Sequence, residues 1–156
     1  MPLFSLLVPF HVLPPGIATE TLRALTSQSF SDFEICASIS PETPDYVRSE
    51  VLEIGSQDAR LKIASPGRPL GISDNTNFCL STAAGRHIVP VDHDDLLGRD
   101  ALRLFSEALR ERDVADVLFT DRDTISADGA ETVLTFLKPQ WSPDMFTQVN
   151  YVSHAT

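Results

Sequence analysis

Short apolar runs alternate with amphipathic stretches over the first 120 residues, and this alternation limits the possible folds more than any other feature. Leu3 to Val8, Phe33 to Ile39, Leu61 to Ala64, His87 to Val91 and Ala115 to Thr120 read as strands. Between the first two, Ala18 to Gln28 sets Leu22 and Leu25 on one helical face. Thr43 then offers an N-cap, and Pro44 a first-turn proline, for a helix reaching about Ile54. A third helix runs from about Ser73 to Ala84 and stops at Gly85, where a left-handed C-cap is available. Asp100 to Arg112 is the best amphipathic stretch, with Leu102, Phe105 and Leu109 on one face. Repeated β-α-β units with apolar strands predict an α/β fold, a mostly parallel sheet covered by helices on both faces. Beyond Thr120 the alternation fades. Asp121 to Lys138 predicts a hairpin around Ala127-Asp128-Gly129, and Ser142-Pro143-Asp144 a capped helix start.

The 156 residues suffice for one domain with a real core, and no repeat, low-complexity tract or linker divides them. The last segment, Asn150 to Thr156, has no turn, cap or polar tail and reads as interrupted. Acids outnumber bases 22 to 12, a net charge of −10, which argues against general binding to nucleic acid or to an anionic membrane surface. Residues 92–128 hold 11 of those 22 acids and 5 of the 12 bases, so an anionic ligand there needs a cation with it. Cys36 and Cys79 lie far apart in apolar contexts and predict two buried thiols in a reducing compartment. The apolar N-terminus lacks a basic leader and is broken by Pro9, and no stretch approaches the ~20 apolar residues of a membrane span.

Open α/β sheets bind ligands beyond the C-terminal ends of their strands. The fourth strand runs straight into Asp92-His93-Asp94-Asp95. In extended chain, residues i and i+2 project to one side, so Asp92 and Asp94 converge and repel unless a cation lies between them. A hard divalent ion such as Mg²⁺ or Mn²⁺ suits oxygen donors and completes its shell with water and phosphate. A solvated acidic turn capping the next helix is the alternative. His93 suits packing or substrate contact better than ligation of a hard ion. His11 ends the first strand on the same edge, and Thr120-Asp121-Arg122-Asp123 brings further carboxylates or forms a turn salt-bridged around Arg122. There is no Gly-x-Gly-x-x-Gly after the first strand, no phosphate loop and no Gly-x-Ser-x-Gly elbow. A phosphate is therefore left to a metal, to Arg68 or Arg99, or to the helix N-terminus near Gly71-Ile72-Ser73.

These pieces together resemble the N-terminal, donor-binding part of family 2 nucleotide-sugar glycosyltransferases, over nearly the whole chain and in order. The resemblance rests on Phe4 to His11, Glu20-Thr21-Leu22 with Gln28-Ser29-Phe30, Phe33 to Cys36, Gly71 to Asn77 with Ala83-Ala84-Gly85, Val91 to Leu97 and Asp116 to Ile125. Its most specific piece is Phe136 to Asp144 followed by Asn150 to His154, similar to a subgroup that builds bacterial cell-surface polysaccharides. The resemblance implies a GT-A fold, a Rossmann-like three-layer sandwich, truncated here. It implies that Asp92 and Asp94 hold Mn²⁺ or Mg²⁺ on the diphosphate of a nucleotide-diphosphate sugar. Pro9, Phe10 and His11 would line the base and ribose pocket, with Ser40, Arg68, Asn77 and His93 as further donor contacts.

Two departures from the family pattern qualify this. Family members usually end the second strand with an acidic pair that grips the nucleoside, and here Ile39 and Ser40 stand in its place, with Glu42 a partial substitute. The general base and the acceptor-binding half are expected beyond Thr156. The expected function is a metal-dependent transfer of sugar to a saccharide acceptor of the cell surface, in the cytoplasm, membrane-peripheral through missing parts, with homo-oligomerisation open. The alternative is a non-catalytic, degenerate nucleotide-sugar-binding domain. A nucleotidylyltransferase of similar topology fits less well, because Pro14-Pro15-Gly16 is a poor phosphate-binding segment.

Overall fold

A computed structural model describes residues 1–111, 115–126 and 129–152. Four strands, β1 (Phe4–Phe10), β2 (Phe33–Ile39), β3 (Leu61–Ala64) and β4 (His87–Pro90), form one parallel sheet in the order β3-β2-β1-β4. Helices α1 (Ile17–Thr26), α2 (Asp45–Gln57), α3 (Ile72–Thr82) and α4 (Ala101–Glu111) connect or follow them.

Strand alternation sorts the side chains into two layers. Phe4, Leu6, Val8 and Phe10 of β1 join Phe33, Ile35 and Ile39 of β2 on one face, against Leu22 and Leu25 of α1, Val47 and Val51 of α2, and Leu102 and Phe105 of α4. Leu7 and Cys36 point the other way, onto Cys79 of α3. All seven residues of β2 are buried, as expected of an inner parallel strand covered on both sides. The sheet with helices on both faces follows the sequence expectation, and both cysteines are buried free thiols. Among the described residues no helix is long and apolar enough to cross a membrane.

The sequence expectation differs from the structure at three places. Ala115 to Thr120 forms no strand: Ala115 to Leu118 lie across an apolar cavity of about 460 Å³ from the outer edge of β4. Strand character depends on a neighbour at ladder distance, which β4, only four residues long and ending in Pro90, does not find here. The hairpin does form, as β5 (Arg122–Ile125) antiparallel to β6 (Thr132–Phe136), although residues 127–128 of its expected turn lie outside the described residues. A short α5 (Pro143–Phe146) follows at the predicted start.

The remaining differences concern the helix ends. Helix α2 begins at Asp45 with Pro44 in the capping position, and Thr43 makes no cap. Helix α3 ends on Ala83 in extended conformation, and Gly85 is not left-handed. A close approach requires the glycine there instead: its N–H donates to Ser5 Oγ at 2.7 Å, against the backbone of β1.

The same contact organises a buried carboxylate. Glu34, at the start of β2, accepts Ser5 Oγ–H and the Ala84 N–H, each at 2.6 Å, and pairs with Lys62 Nζ. Burial pushes this carboxyl up, but the hydrogen bonds from Lys62, Ser5 and Ala84 outweigh it and pull the pKa from 4.5 to about 2. Because the folded value lies below the unfolded one, the contribution is complete above about pH 4.5 and is lost as pH falls toward 2. Its size is at most on the order of 3 kcal/mol, less because half-exposed Lys62 is screened by solvent. Urea titrations from pH 7 to pH 2.5 check this: the stability gap between the wild type and Glu34→Gln should narrow as the pH drops. A gap that stays constant would assign the acid loss to other groups.

Candidate functional site

The chain leaves β1 for β2 and β3 on one side and returns to β4 on the other. The crevice between the C-terminal ends of β1 and β4 is therefore the topological switch point, where open α/β sheets take their ligands. β1 delivers Pro9, Phe10 and His11 there, and β4 delivers Asp92 to Asp95. The Val91 N–H donates to Leu7 O at 3.0 Å, so the β1–β4 register continues and Asp92 leaves the sheet opposite Pro9. The Asp95 N–H donates to Asp92 O at 3.2 Å and closes the acidic turn, with Asp92 and Asp94 exposed and His93 half-buried.

His93 turns inward. Its Nδ1 lies 3.0 Å from Pro9 O, its ring stacks on Phe10 at 6.5 Å and 19°, and its carbonyl accepts Thr21 Oγ1–H at 3.1 Å. The Phe10 carbonyl in turn accepts Thr43 Oγ1–H at 3.3 Å and Asn75 Nδ2–H at 3.4 Å, and Asn75 Oδ1 accepts the Ser38 hydroxyl. The end of β1 is thus held from β4, from the β2–α2 connection and from α3.

Of the sequence-predicted residues, Pro9, His11, Asp92, His93 and Asp94 come together at this crevice, whereas Phe10 is fully buried in the core beneath it and does not line it. Ser40 is fully buried, its hydroxyl 3.3 Å from Thr43 Oγ1 and its carbonyl bonded to Arg48 Nη2, so it backs the loop instead of facing the crevice. Asn77 is exposed on α3, and Arg68 is exposed on the connection after β3, which β2 separates from β1. His11 Nε2 sits 3.5 Å from Glu42 Oε2 at the mouth. Sequence reasoning missed Asn75 and the role of Thr43. The available signal was helical spacing, because Asn75 and apolar-flanked Cys79 are i, i+4 and share the face that meets the sheet.

Beyond the crevice, Asp94 and Asp95 line a cleft of about 880 Å³ that extends to the β5–β6 hairpin. The second acidic turn is spent on that hairpin: Asp121 Oδ1 accepts the Lys138 N–H, and Asp123 Oδ1 accepts Thr135 Oγ1–H, each at 2.7 Å. Arg122 lies over the Phe136 ring at 5.5 Å. Trp141, Phe146 and Tyr151 form an aromatic cluster after the hairpin, and the Tyr151 hydroxyl accepts the Ser142 N–H at 2.7 Å.

Among the described residues, no group of three or more His, Cys, Asp or Glu side chains is spaced to hold a metal unaided. The exposed pair Asp92 and Asp94 supplies only oxygen. That donor set fits a hard divalent ion sharing its shell with water and substrate phosphate, the usual arrangement for Mg²⁺.

The sequence profile described as glycosyl transferase family 2 matches residues 5–151. The chain belongs to that family. The O-antigen biosynthesis protein RfbC of Myxococcus xanthus is 26% identical over 153 residues, 98% of this chain and 12% of RfbC. Two solved structures share the fold. S. aureus TarS 1-349 in complex with UDP superposes with a TM-score of 0.68 at 23% identity, over 83% of this chain and 38% of that one. The mannosyltransferase PcManGT of Pyrobaculum calidifontis, solved with GDP-Man and Mn²⁺, gives 0.66 at 22% identity, over 78% and 36%. The fold is that of the GT-A glycosyltransferases. This chain spans 12 to 17% of the length of the curated relatives it matches.

Proposed function

We propose that this chain is the donor-binding domain of a glycosyltransferase that passes sugar from a nucleotide diphosphate to the saccharide of a bacterial cell-surface polysaccharide. The observation that carries this reading is the meeting, at the switch point, of the Asp92/Asp94 pair with the Pro9–His11 loop. Asp92 and Asp94 would hold Mn²⁺ or Mg²⁺, which would supply positive charge to offset the negative charge gained by the departing nucleoside diphosphate. Pro9 and His11 line the nucleoside side, with Phe10 packed beneath them. Arg68 and Asn77 stand outside the crevice, and Ser40 acts from behind through Thr43. TarS bound to UDP, PcManGT bound to GDP-Man and Mn²⁺, and the O-antigen role of RfbC all support the same reading.

We place the general base and the acceptor half outside residues 1–156, in keeping with the small share of its relatives that this chain covers. We place the domain in the cytoplasm, where nucleotide sugars are made. A second reading, a binding domain without turnover, is favoured by the burial of Ile39 and Ser40, which leaves the end of β2 without a carboxylate.

Calorimetric titration of UDP and of GDP, with Mn²⁺ and with EDTA, tests the donor site. Binding of either nucleotide that requires the metal is the expected result, and no binding at millimolar nucleotide overturns it. Slow metal-dependent release of UDP from UDP-GlcNAc would separate the transferase from the domain without turnover.

A further inference from the structure

We propose that His93 is a positioning residue that locks the Asp92–Asp95 turn to the Pro9–His11 loop, so that the metal and nucleoside halves of the donor site move as one body. Three contacts carry this. A backbone carbonyl only accepts, so His93 Nδ1 carries the proton of the 3.0 Å bond to Pro9 O. The same ring stacks on Phe10, and Thr21 of α1 holds the His93 carbonyl from the opposite side. The β1–β4 ladder stops short of both segments, since its last paired residues are Leu7 and Pro90 and only the Val91 N–H extends it. Past that point His93 supplies the side-chain link from the turn to the end of β1, whose Pro9 and Phe10 are already paired with Ser38 and Ile39 of β2 and whose Phe10 carbonyl is held by Asn75 and Thr43. Because Asp92 and Asp94 flank His93 on the same turn, any ligand that orders their carboxylates also orders the imidazole. Through Pro9 it then orders the adjoining His11 at the mouth of the nucleoside side, a coupling free energy between two subsites.

This inference rests on the metal reading above, so its test has an arm with metal and an arm without. In amide NMR spectra of the full chain, Mg²⁺ should shift Asp94 and Asp95 together with Phe10 and His11, at one midpoint. In His93→Ala the first pair should still shift, and the second should respond several-fold less. His93→Asn, which retains a side-chain N–H donor, should recover part of the response. Equal shifts at Phe10 and His11 in His93→Ala, or shifts confined to the acidic turn in the wild type, overturn the coupling. Silence of Asp94 and Asp95 overturns the metal reading instead. Without metal, ¹⁵N relaxation decides the lock alone: His93→Ala should raise the mobility of His11 and Val12 and leave Leu6 to Phe10, paired with β2, rigid, and unchanged relaxation overturns it.

Discussion

Asp94→Ala is expected to remove the metal-dependent part of nucleotide binding, weakening UDP in the presence of Mn²⁺ by about a hundredfold or more. Changing a residue that only holds a metal's ligand in place already costs about 10–100-fold, and loss of the ligand itself costs at least as much. The expectation follows from how little else is there. No third His, Cys, Asp or Glu is placed to complete a cluster among the described residues, so two carboxylates must do the protein's share of ligation. Asp94 is exposed at the rim of the cleft toward the hairpin, and its removal creates no core cavity. Thermal unfolding should therefore hardly change, which separates loss of ligation from loss of fold. Calorimetry with Mn²⁺ and with EDTA checks the prediction, and Asp94→Asn should behave like the alanine variant, because an amide oxygen carries no charge. If Asp94→Ala binds UDP·Mn²⁺ as the wild type does, the acidic turn is a helix-capping turn and the metal lies elsewhere.

The second large effect concerns the fold. In Gly85→Ala, the added Cβ would lie 2.5 Å from Ser5 Oγ, 2.6 Å from Ser5 N and 2.7 Å from the Phe4 carbonyl carbon. Two of those atoms are backbone of the central strand and cannot swing aside. The strain would either push β1 and the start of β4 apart or break the Gly85–Ser5–Glu34 chain of hydrogen bonds. Overpacking against side chains alone costs about 1–3 kcal/mol, so a loss above ~3 kcal/mol is expected here. That is a large fraction of the 5–15 kcal/mol typical of a domain. Gly71→Ala is the control: its Cβ would meet nothing within 4 Å, its φ is already negative, and the change should stay within about 1 kcal/mol. Urea midpoints of the two variants at neutral pH decide the comparison.

The local physics of the chain was legible in its residues. β2 is mostly apolar, Glu34 and Ser38 apart, because both of its faces are covered, and α4 announces itself because only one of its faces is. The Asp-His-Asp-Asp turn could be placed at a strand end because the strand before it was plain. What misled were features whose meaning depends on a distant neighbour. Val117-Leu118-Phe119 has a strand's composition, but no ladder reaches it across the cavity beside β4. Thr43 looks like a helix cap, yet its hydroxyl finds the Phe10 carbonyl 33 residues away. Gly85 looks like a left-handed stop, yet it is held by the approach of Ser5, 80 residues distant.

By itself, then, the sequence determined the order of strands and helices, the faces they bury and the family to which the chain belongs. These depend on side-chain period and composition, which are local properties. Only the tertiary structure decided that β1 lies between β2 and β4, which puts the Pro9–His11 loop and the Asp92–Asp95 turn side by side. It alone set Asn75 against the Phe10 carbonyl and swung His93 onto Pro9 and Phe10. The physical reason is that hydrogen bonds and ring contacts between residues 65 to 84 positions apart depend on the sheet's strand order, which no local pattern encodes.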